Sequence, residues 1–260
     1  MKSYPAILAT AFAASLAGCA ANGDPRDPLE PMNRGIHSFN EAVDKAVIKP
    51  VAQGYDAVLP GFAKTGVRNF FSNLNDVTVL ANDVLQLKLE QGASDFLRLT
   101  FNTTFGLFGL LDVASEMQLR KHDEDFGQTL GRWGIGTGPY LVLPFIGPSD
   151  IRDTVGYAVD TEYTDMVRLH DDVAARNQAM VLRVVSRRAD LLEAKEAVDT
   201  AALDNYEFTR DFFLERRRGL VHDGKPPRGR RLRRHEQGLR PGRRPGGGRG
   251  RGTRRASSRR

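Results

Sequence analysis

Residues 125–153 read DFGQTLGRWGIGTGPYLVLPFIGPSDIRD, and the rest of the chain is best understood outward from this stretch. From Trp133 to Ser149 it carries no charge, while Gly131, Gly134, Gly136, Gly138, Pro139, Pro144, Gly147 and Pro148 punctuate it. A run of this length nearly crosses a bilayer as a helix. Prolines remove helix donors and glycines raise the backbone entropy cost, so a continuous helix is excluded. An uncharged, largely apolar loop is costly in water unless something covers it. The stretch is therefore expected to be buried by protein or held at a membrane. Its alternating glycines are not a nucleotide fingerprint. G-x-G-x-x-G fails at Pro139 and at Leu141, no clear strand–helix–strand unit surrounds it, and Pro139 stands where a helix would begin.

Phe126, Gly127, Thr129, Leu130, Gly131, Gly134, Gly136, Gly138, Pro139, Tyr140, Leu143, Pro144, Phe145, Gly147, Arg152 and Asp153 follow an F-G-x-T-L-G-x-x-G-x-G-x-G-P-Y-x-x-L-P-F-x-G…R-D pattern. Upstream, residues 27–34 read DPLEPMNR; downstream, Tyr206, Arg210 and Phe213 follow a D-x-Y-x-x-x-R-x-x-(F/Y) pattern. Together these resemble the MlaA (VacJ) lipoproteins over roughly residues 27–218. The resemblance implies a mainly α fold: a ring of amphipathic helices embedded in one membrane leaflet around a central channel. It implies an outer-membrane lipoprotein that removes mislocalised phospholipids from the outer leaflet. They would pass to a periplasmic carrier, MlaC, for retrograde transport, which maintains lipid asymmetry. Outer-membrane porin trimers are the implied partners, and no cofactor is implied. Irregular backbone at membrane depth is tolerated only where protein buries it or it lines a water-filled cavity. Gly131, Gly134, Gly136, Gly138, Pro139 and Tyr140 are therefore the candidates for the channel lining, and Phe101, Phe105 and Phe108 for lipid contact.

Composition divides the chain. Of 260 residues, 40% are hydrophobic, enough for a core, and the net charge is +6. Gly224 to Arg260 holds fifteen Lys/Arg against one Glu, which is +14, so the remainder stands at −8. Residues 219–260 are Arg/Gly/Pro-rich without apolar period and are expected to be disordered. Such a tail suits anionic headgroups or lipopolysaccharide phosphates better than nucleic acid in a secreted lipoprotein, or it is an extension without function. At the other end, Met1-Lys2 and the apolar Tyr4 to Ala14 have signal-peptide character. Leu16-Ala17-Gly18-Cys19 then reads as a lipobox: residues 1–18 are a signal peptide, Cys19 is the lipidated N-terminus, and residues 19–26 are a tether. Cys19 is the one cysteine, so no disulfide forms within the chain. Ala20 in place of Asp points to the outer membrane, facing the periplasm, as the address.

Between these ends the periodicity is helical. Asn33 is expected to cap a helix carrying Ile36, Phe39, Val43 and Val47 on one face and ended by Pro50 near Ile48. Gly61 to Leu87 reads as one or two helices with a local break at Asn73–Asp76. Leu89 to Leu111 is an amphipathic helix too short to span, broken near Gly106 and Gly109. Ser115 to Asp125 reads as a solvated loop; consecutive residues His122 to Asp125 do not converge on a metal ion. Residues 154–160 and 165–188 are expected to be helical, with further helix from 188 to 218. There is no G-x-S-x-G, H-E-x-x-H, C-x-x-C or Walker loop, and the five histidines are scattered, so no catalytic residue is assigned. Two other classes are open to the same residues: a structural envelope lipoprotein without lipid transfer, and a periplasmic hydrolase acting on lipid.

Overall fold

The computed structural model describes residues 24–227 and is mainly α-helical. Cys19, the signal peptide and most of the basic tail lie outside the described residues. Helix α1 (Glu30–Val43) passes through a π-helical turn (Asp44–Ile48) directly into α2 (Lys49–Val58). Pro50 therefore does not end the helix. It sits in the first turn of α2, where its missing N–H costs little, and the wider π turn makes room for its ring. Asn33 is not a cap either. It is fully buried within α1, and its amide does other work described below.

Helix α3 (Gly61–Leu85) packs along α4 (Leu89–Thr104) as an antiparallel pair. The expected break at Asn73–Asp76 is absent. Asn73 donates to Thr103 Oγ1 at 2.9 Å and Asp76 pairs with Lys121, so these polar residues face a partner rather than leaving the helix. After Thr104 the chain turns through residues 105–111, as the glycines there lead one to expect. At Gly109 φ is +89°, and an added Cβ would lie 2.6 Å from Asn73 Cβ. A short α5 (Val113–Glu116) leads to a loop and to α6 (Phe126–Arg132).

A β-hairpin follows, β1 (Tyr140–Leu143) against β2 (Gly147–Asp150), with Tyr140 opposite Asp150 and Leu143 opposite Gly147. It was not legible beforehand because Pro144, Gly147 and Pro148 argue against strands. In a two-stranded ribbon both strands are edges, and there a proline without a donor is tolerated. Helices α7 (Ile151–Tyr163), α8 (Val173–Asp190), α9 (Leu192–Ala201) and α10 (Asn205–Val221) complete the described chain. Asp150, Asp172 and Asp204 cap α7, α8 and α10 by accepting from backbone N–H groups two or three residues on. Capping by Asp172 starts α8 later than the expected residue 165. Helix α10 continues to Val221, so the helical part runs past residue 218.

The distribution of polarity is inverted. Among the described residues twenty-one polar or charged side chains are buried against eight apolar ones. Meanwhile Phe62, Val58, Leu87, Phe105, Phe108 and Phe145 stand largely exposed. A water-soluble domain buries its large apolar residues and leaves Asp, Glu, Lys and Arg outside. The apolar cluster here is small: Tyr140, Val142 and Tyr206, with Ile36, Phe213 and Leu214 against it. No helix among the described residues is long and apolar enough to cross a membrane.

Candidate functional site

The Asp125–Asp153 stretch divides into a clamped part and an open part. In the clamped part, Asp125 caps α6 by accepting from Gln128 N at 2.8 Å and also takes Arg217 of α10 at 2.5 and 2.9 Å. Arg217 bridges onward to Asp153. Arg152 lies against Asp153 at 2.7 Å, and Asp150 caps α7 through Asp153 N at 2.7 Å. Burial works to raise the Asp125 carboxyl, but the Arg217 guanidinium and Gln128 N–H outweigh it and hold it below the usual range. Burial likewise opposes the Arg217 charge, and the Asp125 and Asp153 carboxylates reverse the balance and raise it. Asp150 has less cationic support, and burial pushes it up to about 6.

Helices α6 and α7 come close enough for backbones to touch. A Cβ on Gly156 would fall 2.2 Å from Gly127 N, and one on Gly127 would fall 2.6 Å from Asp153 Oδ1. Thr129, fully buried, donates to Asn82 Oδ1 at 2.7 Å and accepts from Gln86 at 3.1 Å. Gln86 and Lys88 both reach Glu124, at 2.9 and 2.7 Å. Residues 117–123 form a largely exposed loop, as expected, and Glu124 is the exception. Glu124 is buried because two donors from the α3–α4 turn meet it there.

The open part begins at Trp133, whose Nε1–H donates to Leu85 O at 3.3 Å while half its surface stays exposed. Ile135 is also exposed. Around Gly134 and Gly136 nothing lies within 4 Å of an added Cβ, whereas a Cβ on Gly138 would fall 3.3 Å from Ile151 Cβ and one on Gly131 would fall 2.9 Å from Arg152 Nη1. Pro139 O accepts from Ile151 N at 3.3 Å. Tyr140 is 1% exposed and packs in the apolar cluster against Tyr206 and Phe213. Of the six residues expected to line a channel, Gly134 and Gly136 stand in open space, Gly131, Gly138 and Pro139 lie against α7, and Tyr140 faces the core.

The hairpin that follows this loop, with Tyr140 as its first residue, is held by two asparagines of α1. Asn33 donates to Tyr140 O at 3.0 Å and accepts from Val142 N at 2.9 Å. Two helical turns on, Asn40 donates to Leu143 O at 2.9 Å and accepts from Phe145 N at 2.8 Å. Phe145, at the tip with φ +63°, meets Phe39 edge to face at 5.3 Å and is otherwise exposed. The seven-residue step from Asn33 to Asn40 was a signal available in the sequence, but one asparagine near a helix start reads as a cap. Phe101 stacks on Phe105 at 5.8 Å, and Phe105 and Phe108 stand outward beside Leu107.

Residues 25–219 match the family model for the MlaA lipoprotein. The chain is 33% identical over 218 residues to the intermembrane phospholipid transport system lipoprotein MlaA of Escherichia coli K12, covering 80% of this chain and 85% of that protein. Against the protein of the same name from Haemophilus influenzae it is 32% identical over 172 residues, covering 63% of this chain and 69% of the other. Among solved structures, one described as the structural basis for maintenance of bacterial outer membrane lipid asymmetry is 31% identical. It superposes with a TM-score of 0.66, covering 75% of this chain and 98% of that one. Motifs at both ends of the helical part, the inverted polarity and these likenesses agree: the chain belongs to the MlaA lipoprotein family.

Proposed function

We propose that this protein takes mislocalised phospholipids from the outer leaflet of the outer membrane and passes them to a periplasmic carrier for retrograde transport. The observation that carries the reading is the inversion of polarity. Apolar side chains such as Phe62, Phe105 and Phe108 face outward, while carboxylates and guanidinia fill the interior. An outward apolar belt of short helices suits a protein lying in one leaflet. A polar interior suits a path for a headgroup, whose passage through hydrocarbon is expensive without polar partners.

In this reading the helices form a ring around a channel in the periplasmic leaflet. The open loop at Gly134 and Gly136, with Gly131, Gly138 and Pro139 behind it, borders the path, and Phe101, Phe105 and Phe108 meet lipid. Acylation of Cys19 anchors the chain. Porin trimers and the carrier MlaC are the partners that family membership suggests.

The test is the phospholipid content of the cell surface in cells lacking the protein, with wild-type and Cys19→Ala copies supplied in turn. Surface phospholipid is expected to rise on deletion and to return only with the wild-type copy. An unchanged surface with a mechanically weakened envelope would overturn the reading in favour of a structural tether.

A further inference from the structure

The carboxylates in and beside the interface of α3, α4 and the 117–125 segment, most of them buried, do not balance their cations. Asp76 pairs with Lys121, Glu124 with Lys88 at 2.7 Å, Asp112 with Arg98 at 3.0 Å, and Asp95 with His122 Nδ1 at 2.6 Å. Asp83 is the one left over. It is 0% exposed, neither carboxyl oxygen has a hydrogen-bond donor among the described residues, and no described cation forms an ion pair with it. Its side chain lies within hydrogen-bond reach of the equally buried Asp95, whose Oδ1 also lacks a donor. The two helices run close here: a Cβ added on Gly92 of α4 would lie 3.4 Å from Asp83 Cβ.

An isolated buried carboxylate costs far more than a neutral acid, and two adjacent carboxylates without a cation between them repel. A single proton removes both penalties. It neutralises Asp83, and it supplies the donor that Asp95 lacks. We propose that Asp83 and Asp95 form a buried proton-binding site, in which Asp83 holds a proton at neutral pH and donates it to Asp95, with His122 closing the far side. The charged groups facing the pair are Asp76 of α3, Lys88 of the turn, Arg98 of α4, and Lys121, His122 and Glu124 of the segment. Burial, then the contact with Asp95, pushes Asp83 up to about 7.

The consequence is a pH-sensitive clamp. The 117–125 segment leads directly into α6, and Asp95–His122 is one of its ties to the helix pair. An acid whose proton is held more tightly in the folded than in the unfolded chain favours folding at low pH, and the benefit fades as pH rises through the folded value. The inference does not depend on lipid transport and stands or falls separately from it.

The experiment uses the full chain in detergent micelles. Infrared spectra of protein labelled with ¹³C-aspartate should show a protonated carboxyl band at about pH 7 that titrates away at higher pH and is missing in Asp83→Asn. Asparagine presents an N–H donor to Asp95 without a charge, so Asp83→Asn should fold and unfold with a flatter dependence on pH between about 4 and 7 than the wild type. Absence of the band from the wild type, or an unchanged pH profile in Asp83→Asn, would overturn the proposal. Should Asp83→Asn fail to fold, the wild-type infrared titration decides alone.

Discussion

The two parts of the Asp125–Asp153 stretch use the same residue types for opposite ends. Gly127 and Gly156 are filled to contact: a side chain at either would strike backbone or the Asp153–Arg217 pair. Gly134 and Gly136 have nothing near them. Arg152, Asp153 and Arg217 are buried and interlocked, whereas Trp133, Ile135, Phe145 and Ile146 are apolar and exposed. The difference teaches that glycines in one motif need not share one reason. The first set lets two helices touch over an ionic knot. The second set leaves a loop without bulk on a rigid support, free to meet something other than protein.

The comparison breaks most readily at the knot. Replacing Arg217 by Met leaves Asp125 and Asp153 buried without their shared cation, and loss of one partner of a buried pair costs about 3–5 kcal/mol. Chemical denaturation in detergent is expected to show a loss of that order, or no folded protein. Gly156→Val comes next. It pushes α7 off α6, with an expected cost of about 1–3 kcal/mol from overpacking in the same assay. Asn40→Ala removes two hydrogen bonds to the hairpin tip and leaves Phe145 N–H and Leu143 O to find water. The expected cost is about 1–2 kcal/mol, with proteolysis near residues 143–147 faster than at α6. Gly136→Ala is expected to fall within about 0.5 kcal/mol of the parent, because its Cβ enters open space. An equal penalty at Gly136 and Gly156 would erase the division.

Acid sharpens the same contrast. In the knot, the Asp125 carboxyl is held below the ordinary aspartate value of 3.8 by Arg217 and Gln128 against the opposing effect of burial. Its contribution to stability is therefore complete above that value and lost as pH falls through the lower folded one. At Asp83 the shift is upward, so its contribution fades as pH rises from 3.8 through about 7. Asp125→Asn should flatten the acid side of the stability curve and Asp83→Asn the neutral side, as read by unfolding midpoints across pH.

Much of the helical fold was legible because apolar residues repeat every three to four positions. The stripe of Ile36, Phe39, Val43 and Val47 does mark a helix. What periodicity does not say is which side faces the interior, and here Phe39 and Val47 are about half exposed while Asn33 is buried. The boundaries failed for local reasons. Pro50 is absorbed by a π turn, and Asn73–Asp76 stay helical because Thr103 and Lys121 meet them across a helix interface that sequence spacing does not display. The hairpin was illegible because its strands contain the residues that usually break strands. At the site, the motif located the stretch, but the division between packed and open glycines depends on α7 and α10. Arg217 lies some ninety residues from Asp125, and no local pattern joins them.

The most direct test of the central claim is surface phospholipid in cells whose only copy carries Gly136→Val, at protein levels matched to the wild type. The account predicts a normally folded, normally abundant protein and surface phospholipid raised to the level of the deletion strain. A folded Gly136→Val protein that keeps the surface at the wild-type level would contradict the assignment of the open loop to the lipid path.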